Sequence, residues 1–170
     1  MKIHATAQAR LDTPLGPMTA AASEQGLVGL WFDGQRHHPG PLDAPVNARH
    51  AWLRAAQRAL DAYFAGQDVD GRELPFDLQG TPFQQSVWRQ LLLVGRGETC
   101  SYSTLAQRAA AAHAVRAVGA AVGRNPVSIL VPCHRVLGAS GALTGYAGGL
   151  DRKRALLALE RNPTALAIAE

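Results

Sequence analysis

Cysteine and aromatic residues are scarce in this chain of 170 residues, and their scarcity excludes several classes of protein. The two cysteines cannot form a disulfide framework, and the sequence has no CxxC pair or Cys/His cluster with zinc spacing. Aromatic residues make up only 6% of the sequence, so the core must be built from the aliphatic side chains that bring the hydrophobic fraction to 47%. A chain of this size suits one large domain or two small ones.

Long apolar runs are missing as well. The N-terminal stretch "MKIHATAQARLDTPLG" has no uninterrupted apolar segment of the kind found in signal peptides, and no run reaches the roughly 18 apolar residues of a membrane helix. The sequence therefore predicts a protein without membrane contact, located in the cytoplasm, where a free thiol stays reduced.

Metal ligands are similarly few. His37 and His38 are adjacent, but they lie beside Pro39 and Gly40 with no thiol nearby. This pattern favours a solvated loop over a metal site. We predict no metal and no other cofactor.

Charge is unevenly distributed along the chain. Residues 1–80 contain seven Lys/Arg and nine Asp/Glu, a net charge of −2, whereas residues 81–170 contain ten and four, a net charge of +6. The basic half is almost entirely arginine, the side chain best suited to phosphate groups. This excess favours a polyanionic partner, although a codon bias toward arginine would produce the same composition.

The first 80 residues have the pattern of a small α/β domain. Short apolar runs before residue 35 are separated by Pro and Gly and predict antiparallel strands joined by tight turns. Apolar positions recur with a helical period from Val46 to Gly66, and a short strand is expected at Leu74–Leu78. The acidic, turn-rich stretch around that strand places a domain boundary near Gly80, between residues 1–80 and 81–170.

Helices are predicted for most of the second domain. The first begins at Thr81 and runs to Gly95, because Thr81 is a good N-cap, Pro82 fits the first turn and Gln84 completes a capping box. The helix start at Thr81 therefore marks the beginning of the second predicted domain.

Two short helices are predicted next, at 103–110 with Ser103 as the cap and at 114–123. The short linker fits a helix-turn-helix, although such a pair is more often plain packing than a DNA-binding unit. Opposite the valines of the second helix, the surface holds Arg116 and otherwise small residues. Gly119 on that surface lowers helix propensity by roughly 1 kcal/mol, which indicates a packing or contact role.

The remaining segments place Cys133 between a predicted buried strand and a glycine-rich loop. The run "VSILV" predicts the strand, "LGASGALTGYAGGL" forms the loop, and "DRKRALLALE" predicts a last helix that ends at Glu160. An acid in the last turn opposes the helix dipole, so Glu160 is expected to have a specific partner. The fold class is α+β: a small N-terminal antiparallel sheet with a helix, joined to a mostly helical C-terminal domain.

The stretch "VPCHRV" leaves three interpretations of Cys133 open: a nucleophile, a metal ligand, or an inert small hydrophobe, as most buried cysteines are. The adjacent His134 and Arg135 can lower a thiol pKa, and Tyr146 in the following loop can close over a planar substrate. Neighbours on an extended chain point to opposite faces, so proton exchange between Cys133 and His134 needs a bend or a bridging water. Glu160 is the best candidate to orient the histidine, because few acids occur in this half.

The motifs around Cys133 are similar to those of the O6-alkylguanine-DNA alkyltransferases, also called methylated-DNA–protein-cysteine methyltransferases. The similarity is carried by "NPVSILVPCHRV", by "SYSTLA" and "RAVGAAVGRNP" before it, and by "GALTGYAGGLDRKRALLALE" after it. It extends from about Gly80 to Glu160 without evident gaps. The first 80 residues fit the family in length and element order, which implies a ribonuclease-H-like domain there.

The resemblance implies a role for each catalytic residue. Cys133 would take the alkyl group from O6 of guanine, and His134 would activate it through a water. Glu160 would orient the histidine, and Asn125 would brace the turn that leads to the cysteine. The resulting thioether is a very poor leaving group, so each molecule is expected to react once. O4-alkylthymine is a second expected substrate.

The resemblance also assigns the residues that bind the base and the duplex. The expected pocket residues are Val122, Val136, Tyr146, Ala147 and Gly148, with the carbonyls of Cys133 and Val136 facing the base. The expected DNA contacts are Tyr102, Ser103, Ala114, Arg116 and Gly119. Tyr102 would assist base flipping and protonate the departing guanine, and Arg116 would enter the duplex in place of the extruded base. The implied partner is double-stranded DNA approached through the minor groove, and the protein is expected to be a monomer, with cooperativity on DNA left open.

Two features depart from the family. The linker of the predicted helix-turn-helix reads "AAAAHA", where the family often has Gly or Pro. The N-terminal part has no cysteine, so the zinc site of some relatives is not expected here.

Three rival functions remain to be distinguished. An alkyltransferase-like protein that only binds lesions would lack the reactive cysteine, whereas "PCHR" is intact. A regulator that uses the helix-turn-helix would need a helix with more side chains for major-groove readout. A Cys-His hydrolase would need an oxyanion hole and an acyl substrate, which nothing in the sequence specifies.

Overall fold

The computed structural model describes residues 3–69 and 71–162, and the first part of this range forms an antiparallel sheet. In the order in which they pair, its strands are Ala7–Leu11 (β1), Met18–Ala22 (β2) and Leu27–Phe32 (β3). Helix Ala51–Phe64 (α1) packs against one face, and Ile3 and Leu42 pack against the other, so every residue of β3 is buried. The predicted N-terminal sheet with one helix is therefore confirmed.

Two predicted element bounds in this part are wrong. The backbone of Val46 pairs with β1 in an extended conformation, so α1 begins only at Ala51. The strand predicted at Leu74–Leu78 is reduced to a single bridge between Phe76 and Leu27. The proline just before Phe76 has no N–H with which to extend the ladder.

Helices dominate the second part of the chain, as predicted. Their bounds are Pro82–Leu91 (α2), Tyr102–Arg108 (α3), Val115–Gly123 (α4) and Leu150–Arg161 (α5). The capping box begins α2 as expected, because Thr81 Oγ1 accepts from Gln84 N at 3.2 Å and Gln84 Oε1 accepts from Thr81 N at 2.9 Å. The helix ends at Leu91 and not at Gly95, since the next N–H groups bond three residues back and tighten the chain into turns.

The cap of α3 is Ser101 and not the predicted Ser103. Ser101 Oγ accepts from Thr104 N at 3.0 Å, whereas Ser103 lies inside the first turn with its exposed hydroxyl 2.8 Å from Ser101 Oγ. Helix α4 follows after a six-residue connection and packs on α3. Within this connection Ala110 has a φ of 54°, a conformation that glycine adopts more readily.

The buried strand predicted for "VSILV" is also wrong. Val127 makes one isolated bridge with Leu30 of β3, and the chain then turns sharply, with a φ of 71° at Ile129. The physical reason is the amide of Asn125, whose Nδ2 donates to Val127 O at 3.1 Å and to Val131 O at 2.8 Å. These bonds fold the segment into a loop whose first residues are anchored to the sheet.

The chain after this loop forms a 3₁₀ turn at Cys133–Arg135 and then a two-residue strand, Val136–Leu137 (β5). Strand β5 pairs in parallel with Cys100–Ser101 (β4). The 3₁₀ turn supplies the bend that the sequence required between the cysteine and its neighbouring histidine.

A continuous apolar core connects the two parts of the chain. Leu30 and Phe32 of β3 belong to the same buried cluster as Val87 and Leu91 of α2. Trp88 Nε1 donates to the carbonyl of Ala121 at 2.8 Å, which joins α2 to α4. The loop that carries the cysteine is thus held against a rigid support made by both parts.

Two kinds of feature are absent from residues 3–69 and 71–162. No helix in these ranges is long and apolar enough to cross a bilayer. Nor do these residues bring three or more His, Cys, Asp or Glu side chains together in a group that could hold a metal ion.

Candidate active site

The thiol of Cys133 is buried, with 5% of the residue exposed, at the wall of a pocket. Asn125 Nδ2 donates a hydrogen bond to its Sγ at 3.0 Å. Burial raises the pKa of the thiol, and the Asn125 hydrogen bond and the Lys153 ammonium only partly oppose that rise. At neutral pH the protein therefore holds a protonated thiol, and a base is needed to produce the thiolate.

A buried His134–Glu160 pair lies next to the cysteine. His134 Nε2 and Glu160 Oε1 are 2.7 Å apart, and both side chains are fully inaccessible to solvent. Burial lowers the pKa of His134 more than the bond to Glu160 raises it, so the imidazole is neutral at pH 7. The expectation that Glu160 has a specific partner is confirmed.

The ionisation of Glu160 determines which imidazole nitrogen carries the hydrogen. Burial alone would raise the pKa of Glu160, but hydrogen bonds and charge from His134 and Arg135 hold it well below its usual range. An ionised carboxylate only accepts hydrogen bonds, so His134 Nε2 is the protonated nitrogen. Nδ1 is then the basic nitrogen; it is buried and has no hydrogen-bond partner among the described residues.

The carboxylate of Glu160 is held by more groups than the sequence indicated. Arg135 donates from Nε and Nη2, Gly97 N donates to Oε2 at 3.2 Å, and Tyr63 OH donates to Oε1 at 2.8 Å. Tyr63 belongs to α1 in the N-terminal part and lies 71 positions from His134 in the sequence. No local pattern connects two such distant positions, and a buried tyrosine in need of a partner is the one signal available.

Lys153 is a second functional candidate that the sequence did not reveal. It is fully buried on α5, and its Nζ donates to the carbonyls of Val136, Thr144 and Gly145 at 2.6, 2.9 and 3.1 Å. Burial lowers the pKa of Lys153 to about 8, opposed by the nearby Cys133. The ammonium group therefore fixes the glycine-rich loop and places a positive charge near the thiol.

The pocket in front of Cys133 has a volume of about 300 Å³. Three of the expected pocket residues line it, namely Val122, Tyr146 and Ala147. The ring of Tyr146 packs edge-on against His134, with centroids 6.4 Å apart. The other two expected residues do not line it. Val136 is fully buried, and its carbonyl accepts from Lys153. Gly148 packs directly against the ring of Tyr146.

The loop of residues 36–40 reaches this pocket from the N-terminal part. Arg36 and His37 line its mouth, and Arg36 N donates to Ala147 O at 2.9 Å. The prediction of a merely solvated loop at His37 and His38 is therefore incomplete. Arg124, after α4, adds a further positive charge at the same rim.

The expected DNA contacts differ in their exposure and in whether they line this pocket. Arg116 and Ser103 are exposed, Ala114 is the half-buried cap of α4, and Gly119 and Tyr102 line the pocket. A methyl group at Gly119 would lie 3.7 Å from the ring of Tyr102, an ordinary van der Waals distance, so packing against that ring does not itself require the glycine. Burial raises the pKa of Tyr102, whose hydroxyl donates to Thr144 O at 3.3 Å.

A buried protonated thiol lies beside a neutral histidine that is held by an ionised glutamate. This arrangement is typical of proteins in which a cysteine accepts a transferred group. Comparison with known families makes this class specific. Residues 82–162 match the 6-O-methylguanine DNA methyltransferase, DNA binding domain, and residues 7–78 match the ribonuclease-like domain of the same enzymes. The chain belongs to the methylated-DNA–protein-cysteine methyltransferase family.

Individual relatives are similar over most of their length. The methylated-DNA–protein-cysteine methyltransferase of Mycolicibacterium paratuberculosis is 47% identical over 151 residues, which cover 89% of this chain and 90% of that protein. The enzyme of the same name from Methanosarcina barkeri is 43% identical over 153 residues, covering 89% and 95%. The crystal structure of Mycobacterium tuberculosis OGT in complex with DNA superposes with a TM-score of 0.83 at 42% identity, covering 95% of this chain and 99% of that one.

Proposed function

We propose that this protein repairs duplex DNA by moving the alkyl group of O6-alkylguanine to Sγ of its own Cys133, once per molecule. The observation that carries the proposal is a buried thiol at the wall of a pocket, with the buried His134–Glu160 pair beside it. The pocket has the volume of a small-molecule site, and Tyr146 supplies an aromatic wall for a planar base. The family of the chain supports the same substrate.

The thiolate forms by proton transfer to His134. Nδ1 is the basic nitrogen, and a bridging water carries the proton to it from Sγ, because Nε2 is engaged with Glu160. Glu160 stabilises the imidazolium that results. The Asn125 N–H and the Lys153 ammonium stabilise the thiolate.

The thiolate then displaces the guanine oxygen at the alkyl carbon. The C–S bond forms as the C–O6 bond breaks, and the electron pair of that bond passes into the guanine ring. Tyr102 protonates the ring, since its raised pKa keeps the hydroxyl protonated at neutral pH. The imidazolium proton returns through solvent to the tyrosinate, so the net reaction moves the thiol proton to guanine.

The surface of α4 around Arg116 is suited to extruding a base from the duplex. An alkyl group on O6 is hidden within the base stack, and extruding the base costs a few kcal/mol. The exposed Arg116 side chain fills the gap, and Gly119 and its small neighbours allow α4 to enter the minor groove closely. Ser103 and Ala114 contact the backbone, and Arg36 and Arg124 at the rim add attraction for phosphate.

The thioether product determines the stoichiometry. A thioether is a very poor leaving group, and none of the site residues described above is placed to hydrolyse it, so the alkylated protein does not turn over. O4-alkylthymine offers the same type of alkyl–oxygen bond and is a second substrate of the proposal. We further propose two domains, residues 1–80 and 81–170, in a cytoplasmic protein that acts as a monomer.

An intact-mass measurement tests the proposal. The protein is incubated with duplex DNA that contains O6-methylguanine, and we expect a stable gain of about 14 Da, one CH₂, located on Cys133. The Cys133→Ser variant and an unmodified duplex are the controls, and neither yields an adduct. A protein that binds the lesion without any mass gain is a lesion-binding protein, and that outcome rejects the proposal.

A further inference from the structure

Tyr63 connects the N-terminal part of the chain to the catalytic pair. It lies near the end of α1, is 2% exposed, and donates from its hydroxyl to Glu160 Oε1 at 2.8 Å. The same oxygen is 2.7 Å from His134 Nε2, and the Tyr63 oxygen itself is 3.4 Å from that nitrogen. Tyr63 and His134 thus share one carboxylate oxygen.

Arg96 holds the ends of the two helices that carry this contact. Its guanidinium lies 4.8 Å from the centre of the Tyr63 ring. Its Nη1 donates to the carbonyls of Tyr63 and Gln67, and its Nη2 donates to the carbonyl of Leu159 on α5. Arg96 binds carbonyls near the C-terminal ends of both α1 and α5. It therefore holds the two helix ends together and keeps Tyr63 close to Glu160.

The hydroxyl is not required to fill space, because a phenylalanine ring at this position would occupy nearly the same volume. Its effect is on Glu160: each donor that reaches Oε1 disperses the carboxylate charge and weakens its hold on the others. Burial raises the pKa of Tyr63 well above its usual value, so the phenol remains a donor at every working pH. The distance to Glu160 is 0.6 Å shorter than that to His134 Nε2, so the effect through the carboxylate dominates.

We propose that Tyr63 is a positioning residue of the methyltransferase: its hydroxyl shares Glu160 Oε1 with His134 and thereby limits how firmly Glu160 retains a proton on the imidazole. The inference rests on the proposed function for its catalytic meaning. It gives the N-terminal part a specific task, which is to keep His134 neutral and ready to accept the cysteine proton.

The groups that act on His134 come from every element packed around it. They are Tyr63 from α1, Cys133 and Arg135 beside it in the chain, Tyr146 from the loop, and Lys153 and Glu160 from α5. Tyr63→Phe removes one donor from Glu160 and leaves these other groups in place. The carboxylate then stabilises the imidazolium more strongly, and the pKa of His134 rises.

The test is an NMR titration of isotope-labelled His134 in the full-length protein, in parallel with the pH profile of alkyl transfer. In Tyr63→Phe we expect the imidazole pKa to rise by up to about one unit, because only the difference in the strength of the Tyr63–Glu160 bond between charged and neutral His134 acts on that pKa. The acid limb of the transfer rate moves to higher pH by the same amount. The rate therefore falls by up to about tenfold at pH values well below the wild-type pKa, by less between the two pKa values, and converges with wild type above pH 8. An imidazole pKa equal to that of wild type overturns the inference.

Two further variants separate this role from packing. Leu60→Val alters a buried position one turn earlier on α1 without touching the hydroxyl, and it should leave the His134 pKa unchanged. A 3-fluorotyrosine at position 63 keeps the ring and donates more strongly, so it should lower the His134 pKa. If the fluorinated protein shows a rise or no change, the inference fails even where Tyr63→Phe does not fold.

The two measurements also separate this inference from the proposed function. The NMR titration needs no DNA and no transfer reaction. If the His134 pKa shifts but no variant forms an alkyl adduct, the proposed function is rejected, while the effect of Tyr63 on His134 stands. An adduct together with an unshifted pKa rejects the role of Tyr63 alone.

Discussion

Asn125 Nδ2 lies 3.0 Å from Sγ of Cys133, and the same amide group organises the loop that carries the cysteine. Its oxygen accepts from Val127 N at 3.0 Å, and its nitrogen donates to the carbonyls of Val127 and Val131. One buried side chain therefore both shapes the loop and contacts the reacting atom.

Asn125→Ala should impair stability and alkyl transfer together. It leaves Val127 N without its acceptor, and it removes one of the two donors to the carbonyls of Val127 and Val131, which still accept from Val131 N and Cys133 N. We expect the free energy of unfolding to fall by about 2–4 kcal/mol, the sum of one unsatisfied buried group and the lost hydrogen bonds. Ser128→Ala removes one buried hydrogen bond, to Gln35, from the same loop and should cost only about 1 kcal/mol. Urea unfolding of both variants measures the difference, and equal losses would contradict the bracing role of Asn125.

Glu160 should make the protein less stable in acid. Its folded pKa is depressed, so its stabilising contribution is complete above the unfolded value of 4.5 and is lost as the pH falls below it. His134 also lowers the stability of the folded protein in acid. Its folded pKa lies below 6.5, so the unfolded chain takes up the proton first as the pH falls. Urea unfolding between pH 7 and pH 3 should show a decline that is shallower in Glu160→Gln.

That variant should also be less stable than wild type at pH 7. It leaves the buried Arg135 without its counter-ion, which costs about 3–5 kcal/mol. A Glu160→Gln protein with the wild-type pH slope would show that the carboxylate does not carry the acid sensitivity.

Ala110→Gly should stabilise the connection between α3 and α4. Ala110 has a φ of 54°, which costs a residue with a Cβ about 1–2 kcal/mol, and glycine relieves this at a smaller loss of chain entropy. We expect a net gain of up to about 1 kcal/mol in the free energy of unfolding. Ala112→Gly, in the same connection but without a positive φ, should instead lower it slightly. A loss of stability in Ala110→Gly would show that this backbone conformation carries no strain.

Arg116→Ala should slow repair of duplex DNA without affecting the thiol chemistry. The side chain is exposed, and its proposed task is to occupy the space of the extruded base. We expect the rate on O6-methylguanine in a duplex to fall at least about tenfold, which corresponds to about 1.4 kcal/mol, while the rate on the free base stays the same. Arg154→Ala removes another exposed arginine, one paired with Asp151 on α5, and should change neither rate. Equal slowing on duplex and free base would contradict the proposed task.

The sequence predicts those features that depend on nearby residues. The capping box at Thr81 and Gln84 is local, and the dipole argument for Glu160 correctly indicated a specific partner. The exposed face of α4 around Arg116 follows from helical periodicity and is also confirmed.

What the sequence does not reveal depends on long-range contacts. "VSILV" has the composition of a strand, but the Asn125 side chain competes for its carbonyls and converts it into a loop. Lys153 looks like a surface residue of an amphipathic helix, yet three loop carbonyls satisfy its ammonium in the interior. Tyr63 reaches Glu160 only because the two parts of the chain share one core.

The number of methyl groups that each protein molecule accepts distinguishes irreversible transfer to Cys133 from a catalytic cycle. The protein is mixed with a large molar excess of O6-methylguanine duplex, and repaired guanine is counted against active protein until the reaction stops. We expect a plateau at one repaired base per molecule, with Cys133 fully converted to the thioether. Repair that continues past one equivalent, or repair by Cys133→Ser, would contradict this expectation.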